Sequence, residues 1–263
     1  TEIMRIDTCW AGAIGLGIVD ITLGATFQAQ HLLLALNAGE PYRIARALAM
    51  EAGYSATGGG PNRSRTEEYV RAATELANKI NQPHALGLTK VMAGLAAFLV
   101  GEWRRCAELT LSADEILRDN CTGTIWELST ATFFRLRALY WLGDIAYLFN
   151  VLPAHIKEAS DQGDLLALVN SHIRAAYFID LANDEPKLAE TKLEEILSKW
   201  SNKYFHMQHL QGWFVAVEIA LYQNDALKAW ELFQQKWSKI TDSLFLRIQL
   251  LLIEALHLHA RIL

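Results

Sequence analysis

"ALKAWELFQQKWSKI", residues 226–240, spaces its apolar set Ala226, Trp230, Phe233, Trp237 and Ile240 by four, three, four and three. That interval returns each side chain to one face of an α-helix. "EPKLAETKLEEILSKW", residues 185–200, likewise keeps Ala189, Leu193, Ile196, Leu197 and Trp200 on one face, at steps of four, three, one and three. Both are polar helices carrying a single apolar stripe, and such a stripe is stable only against a neighbouring element. Alternating Val/Ile/Thr runs are absent, while Ala, Leu, Glu, Lys and Gln dominate, so helix is expected throughout.

The junctions between these helices recur. Gly101-Glu102, Gly143-Asp144, Asn183-Asp184 and Asn224-Asp225 stand 42, 40 and 41 residues apart. A helix end needs a residue that tolerates left-handed backbone, and Gly or Asn does so at least cost. The acid that follows is placed to cap the next helix and to meet its positive dipole end. Gly39-Glu40-Pro41 reads as an earlier copy, with proline where a first turn accepts it. Gln82-Pro83, Gly123-Thr124 and Gly163-Asp164 mark further junctions. Together they divide the chain into about a dozen helices of roughly 14 to 20 residues, with a kink expected at Pro153.

The predicted fold is therefore all-α: a right-handed superhelix of stacked antiparallel helical hairpins, one domain over residues 1–263. Its period of about 40 residues exceeds the roughly 34 of a standard tetratricopeptide repeat. The L-G-x-x-Y signature is not matched in register, since Leu142-Gly143 sits at a turn. Tetratricopeptide-like α-solenoid is the description that fits.

"SATGGGPNRSR", residues 55–65, could suggest a phosphate-cradling loop. A P-loop requires G-x-x-x-x-G-K-[ST] between a strand and a helix. Here there is no lysine, and a helical segment leads in, so residues 57–64 read as a flexible glycine-rich connection. Ser64 or Thr66 is then the expected cap of the next helix. Nine of the sixteen glycines precede residue 61, which makes this end the looser one.

The totals narrow the function classes. With 263 residues, 52% hydrophobic, the chain can bury a substantial core. A net charge of −5 and no Lys/Arg run argue against a nucleic-acid partner. Cys9, Cys106 and Cys121 form no CxxC pair and read as reduced thiols of a cytoplasmic protein. "AGAIGLGIV" (residues 11–19) and "VMAGLAAFLV" (91–100) fall short of the roughly 20 apolar residues of a membrane span. The chain starts at Thr1 without a signal-peptide pattern and ends on the apolar run "LLLIEALHLHARIL", where a repeat array would carry a polar cap. A piece of a longer protein is the expectation.

Specific chemistry is sparse. Gly12, Gly15 and Gly17 run G-x-x-G-x-G, the reverse of a dinucleotide fingerprint, and suit close helix packing. His206 and His209 lie three apart on one helix face and could hold a metal with a third ligand. No third ligand stands nearby, so capping of a helix start or hydrogen bonding between neighbouring helices is expected, and no metal or cofactor is assigned. His257 and His259, two apart, point to different faces. Cys106 lies on an apolar stripe, Cys121 at a helix end, and Trp200, Trp230 and Trp237 fall on stripes as packing residues.

The remaining signal is polar residues on the first helix of each pair, which in a superhelix tends to line the concave face. Arg135 with Arg137, Asn170 with Arg174, Gln208 with Gln211, and Arg247 with Gln249 and Glu254 are so placed. Arginine forks and amides suit acidic or amide-bearing peptide groups. Arg135, Asn170, Arg174, Gln208, Gln211 and Arg247 are the candidate binding residues.

Six segments carry a family resemblance. "RIDTCWAGAIGLGIVD", "FQAQHLLLALNAGEPYRIARALAMEAGYSATGG", "CTGTIWEL", "LRALYWLGDIAYL", "FHMQH" and "LFLRIQLLLIEALHLHAR" resemble the C-terminal tetratricopeptide-like region of bacterial signalling proteins. Those proteins join a serine/threonine kinase to a STAND-type AAA ATPase. The resemblance runs across nearly the whole chain and implies a non-catalytic regulatory module. Such a module binds a protein, a peptide or a small-molecule effector, and restrains the other domains of its own chain. Kinase and ATPase motifs are absent from this segment, so no catalytic residue carries over. A self-associating scaffold is the alternative, and a metal-dependent enzyme at His206 and His209 the third reading.

Overall fold

Every junction read from the sequence falls between helices. The computed structural model describes residues 1–17 and 20–263, except for the side chain of Arg174. Ile18 and Val19, which end the first apolar run, lie outside the described residues. Among those described there are fourteen α-helices and no strand, so the chain is all-α. No described helix is long and apolar enough to cross a membrane.

The helices gather into two compact units, Thr1–Ala138 and Leu139–Leu263, with the boundary inside one helix. The first unit holds α1 (Glu2–Leu16), α2 (Ile21–Ala38), α3 (Pro41–Ala56), α4 (Arg63–Ile80), α5 (Pro83–Leu99), α6 (Trp103–Asn120) and most of α7 (Ile125–Leu142). Here α1 packs on α2, α3 on α4 and α5 on α6, and α3 also lies against α5. Short connections make each pair antiparallel. The core between them is small: Ala49, Met50, Ala73, Leu88, Val91, Met92, Ala113, Leu117 and Ala131 form one buried cluster.

Glycines let these helices approach closely. A Cβ on Gly24 would sit 2.9 Å from the Gly17 Cα and 2.8 Å from the Tyr54 hydroxyl, and one on Gly12 would strike Phe27. Several glycines of the N-terminal half are thus packing positions.

The second unit contains α8 (Ile145–Asp161), α9 (Leu165–Ser171), α10 (Tyr177–Ala182), α11 (Pro186–Ser198), α12 (Met207–Tyr222), α13 (Ala226–Asp242) and α14 (Gln249–Ile262). Its core joins Val169, Ile173, Tyr177 and Leu181 to Ala189, Leu193 and Ile196 of the α11 stripe. Val215 and Ile219 of α12 complete it. Phe233 and Ile240 of the α13 stripe are buried as well. Pro153 lies inside α8, which continues through it.

A π-turn, His172–Ala176, separates α9 from α10. Just before it, the Ser171 hydroxyl donates to the Ala167 carbonyl and His172 Nδ1 to the Leu168 carbonyl, which already accepts the His172 backbone N–H. Side chains that compete for i−4 carbonyls loosen the regular ladder and favour a wider turn.

Most turns follow the expected chemistry. Gly39, Gly101, Gly143 and Asn224 are left-handed, and Glu40, Asp144, Asp164 and Asp225 cap the following helices with their side chains. Three details differ. At Asn183-Asp184 the left-handed residue is Asp184 (φ 60°), because α10 runs one residue further before it stops. Glu102 makes no cap bond, since Arg63 and Arg105 hold its carboxylate. In the glycine-rich connection, Gly60–Asn62 forms a 3₁₀ turn and Asn62 precedes α4. Asn62 Nδ2 donates to the Ser55 carbonyl at 3.0 Å and Thr66 bonds the Ser55 hydroxyl at 3.0 Å, so neither Ser64 nor Thr66 caps α4.

Candidate functional site

The densest polar constellation lies in the first unit, among helices that hold none of the candidate binding residues but Arg135. Asp7 of α1 faces two arginines one turn apart on α3. Arg43 grips its carboxylate in a fork, Nε at 3.0 Å and Nη2 at 2.6 Å, and Arg46 adds a third bond at 2.6 Å. The Arg43 hydrogen bonds hold the Asp7 carboxyl below the usual carboxylate range, against burial and with help from Arg46. The Arg46 guanidinium also lies over the Trp10 ring at 4.8 Å and the Tyr42 ring at 5.6 Å, a paired, stacked geometry that suits a buried arginine.

Beneath it His31 of α2 is fully buried. Gln28 Nε2 donates to the Ala47 carbonyl at 2.9 Å and to Glu51 at 3.2 Å, so its Oε1 is the acceptor facing His31 Nδ1 at 3.2 Å. The His31 proton therefore sits on Nδ1, and Nε2 carries a lone pair with no partner among the described residues. Burial, then the positive charge of Arg46, push its pKa down to about 3, so the ring is neutral.

On the other side of Arg46 a ladder crosses three helix starts. The Tyr42 hydroxyl meets His84 Nδ1 at 3.0 Å, and His84 Nε2 meets Glu127 Oε1 at 2.9 Å. With Glu127 accepting, Nε2 carries a proton. A hydroxyl, an imidazole and a carboxylate in series resemble a nucleophile relay. Burial, however, raises the Tyr42 pKa above its ordinary value, the reverse of what an activated phenol needs. The ladder ties α3, α5 and α7 together.

A groove lies elsewhere in the same unit, between α4 and α6 with α5 as its floor. It encloses about 310 Å³ and is lined by Ala93, Ala96, Ala97 and Val100 below and Val70 on the wall. Charged residues form its rim.

The candidate residues from the sequence fall in several places. Gln208 and Gln211 are buried on α12, and Gln208 Nε2 donates to Asn170 Oδ1 of α9 at 3.4 Å. Gln208 Oε1 and Gln211 Nε2 have no partner among the described residues. Arg135 is half-buried on α7 and Arg137 buried, while Arg247 is exposed in the 3₁₀ turn Leu244–Arg247. Arg174 stands in the π-turn, and its side chain lies outside the described residues. Of these the structure joins Asn170 to Gln208.

His206 and His209 cap the start of α12. The His209 Nδ1 accepts the His206 backbone N–H at 2.9 Å, its Nε2 meets Asn202 at 3.2 Å, and Trp200 Nε1 donates to His206 Nδ1 at 3.1 Å. Among the described residues no three His, Cys, Asp or Glu side chains gather as a metal site. Cys106 is buried, and desolvation pushes its thiol up to about 12. Cys121 is half-buried against the first core cluster.

The sequence carried a faint signal for the polar cluster: Asp7, Trp10, Gln28, His31, Arg43, Arg46 and Glu127 all fall within three of the resemblance segments. Their spacing follows no motif, because these residues come from four different helices. Compared with known proteins, the chain matches no family model, no curated protein and no solved structure.

Proposed function

We propose that this chain is a non-catalytic binding module built as a tetratricopeptide-like α-solenoid of roughly 40-residue hairpins. The observation that carries the reading is the recurrence of left-handed turn residues at Gly101, Gly143, Asp184 and Asn224, at steps of 42, 41 and 40. Hairpins stacked at that interval form extended surfaces suited to a protein or peptide partner. The internal use of the charged groups supports the same view: Asp7, Arg43, Arg46, His84 and Glu127 are engaged with one another as structural ties.

The resemblance of six segments to the helical region of kinase–ATPase signalling proteins supports a regulatory role within a cytoplasmic protein. Binding there would favour one arrangement of the repeats and so bias the neighbouring domains; a ligand with equal affinity for both arrangements would shift nothing. The test is binding by the purified chain, scored against peptides, small molecules and the other domains of its own protein, together with deletion of residues 1–263 from the whole. Regulated activity that survives the deletion unchanged, with no ligand found, overturns the proposal.

A self-associating scaffold is the second reading. It is favoured by α14, whose Leu252, Ile253 and Leu256 are exposed. A mass in solution that stays monomeric over a hundredfold concentration range removes it.

A further inference from the structure

The groove between α4 and α6 carries an inference that rests on the binding-module reading and narrows it to one kind of ligand. Its floor is Ala93, Ala96 and Ala97 of α5, spaced three and one, with Val100 just past the helix end, so small side chains leave a channel along one helix face. At about 310 Å³ it lies at the small end of ligand-holding clefts. A cleft of that volume, floored by small side chains, suits a short extended chain segment.

The rim decides what that segment carries. Along α4 the charge alternates turn by turn: Arg63, Glu67, Arg71, Glu75. Arg63 is bound to Glu67 at 3.0 Å and to Glu102, and Arg105 closes on Glu102 at 2.8 Å, so one end of the groove is internally neutralised. Arg71 and Glu75 stand at the same four-residue spacing as Arg63 and Glu67. Both line the groove, both are exposed, and neither enters an ion pair among the described residues. Residues one turn apart on a helix place their Cβ atoms about 5–6 Å from each other. In an extended chain, side chains two residues apart share a face at about 6.6 Å.

We infer that this groove docks an extended peptide segment bearing an acid and a base two residues apart, with an apolar residue between them. The acid meets Arg71, the base meets Glu75, and the intervening side chain turns toward the alanine floor.

The probe is a nine-residue peptide, Gly-Ser-Leu-Glu-Leu-Lys-Leu-Ser-Gly amide, titrated into isotope-labelled whole chain. Controls replace its Glu by Lys or its Lys by Glu. The expected result is shifts of the Val70, Ala93 and Ala96 amides, and a preference of about threefold to fivefold for the mixed-charge peptide. Arg71→Glu is expected to transfer that preference to the Lys-Leu-Lys control. Thr74→Trp, at an exposed wall position, is expected to block all three peptides while the helical signal is unchanged. Indifference of binding to both substitutions overturns the groove assignment while leaving a binding module intact. Absence of binding by every peptide also overturns the assignment, and the search for other partners then judges the module separately.

Discussion

Asp7 of α1 accepts a 2.6 Å hydrogen bond from Arg46 of α3, whose side chain is only 7% exposed. Removing one member of such a pair strands the other in a poor solvent. Asp7→Ala is expected to destabilise the first unit by about 2–3 kcal/mol, below the value for a fully buried pair because Asp7 itself is 39% exposed. Urea unfolding measures it, and a change within experimental error would refute a role for this contact in joining α1 to α3.

The same carboxylate has a pH signature. Its folded pKa is depressed, chiefly by Arg43, so the unfolded chain takes up the proton first as pH falls. The stabilisation is complete above the ordinary carboxylate pKa, about 4, and drains away as pH drops through the lower folded value. Asp7→Asn is expected to flatten this acid limb, read as unfolding midpoints between pH 5 and pH 2.

His31 adds a separate dependence at higher pH. Its pKa falls from 6.5 to about 3 on folding, so between those values the unfolded state binds more protons than the native state. Stability is then full above pH 6.5 and declines steadily toward pH 3. The groups acting on it are Arg46, Asp7 and Arg43, and burial outweighs all three. His31→Leu is expected to reduce the slope between pH 6.5 and about 5.5, above most carboxylate titration, leaving the part due to His209, whose pKa burial also lowers. A variant with the parental slope would show that groups other than His31 set it.

Tyr42, His84 and Glu127 should behave as one unit. Tyr42→Phe deletes one hydrogen bond and is expected to cost about 0.5–1.5 kcal/mol. Because the same imidazole bridges both partners, the double variant with Glu127→Gln should depart from additivity by at least about 0.5 kcal/mol. Strict additivity would mean that the two bonds form independently.

Gly24→Ala tests the contact between α1 and α2. The added Cβ meets backbone at Gly17 and the Tyr54 hydroxyl, which itself donates to the Ala13 carbonyl at 3.0 Å. Contacts that short force the backbone or the Tyr54 ring to shift, so a loss of about 1–3 kcal/mol is expected even though alanine is the better helix former. A stabilised variant would show that the helices separate at little cost.

The helices and their junctions were legible because they are local. Stripe spacing in 226–240, the left-handed Gly101, Gly143 and Asn224, and the Asp144 and Asp225 caps all depend on residues within about four positions of each other. Capping by His206 and His209, one of the two roles their spacing left open, is local in the same way. Where a boundary hung on one residue, as at Asn183-Asp184, two adjacent candidates had similar local chemistry, and the packed length of α10 chose Asp184.

What the chain alone determined is an all-helical protein with apolar stripes that must be hidden, since periodicity and turn sterics act within a few residues. Tertiary structure decided which polar groups meet. It brought Asp7 to Arg43 across 36 residues, His84 to Glu127 across 43, and the α4 rim over the α5 alanines. Those pairings arise only once helix faces have docked, because a side chain's partner is set by backbone placement and not by its neighbours in sequence.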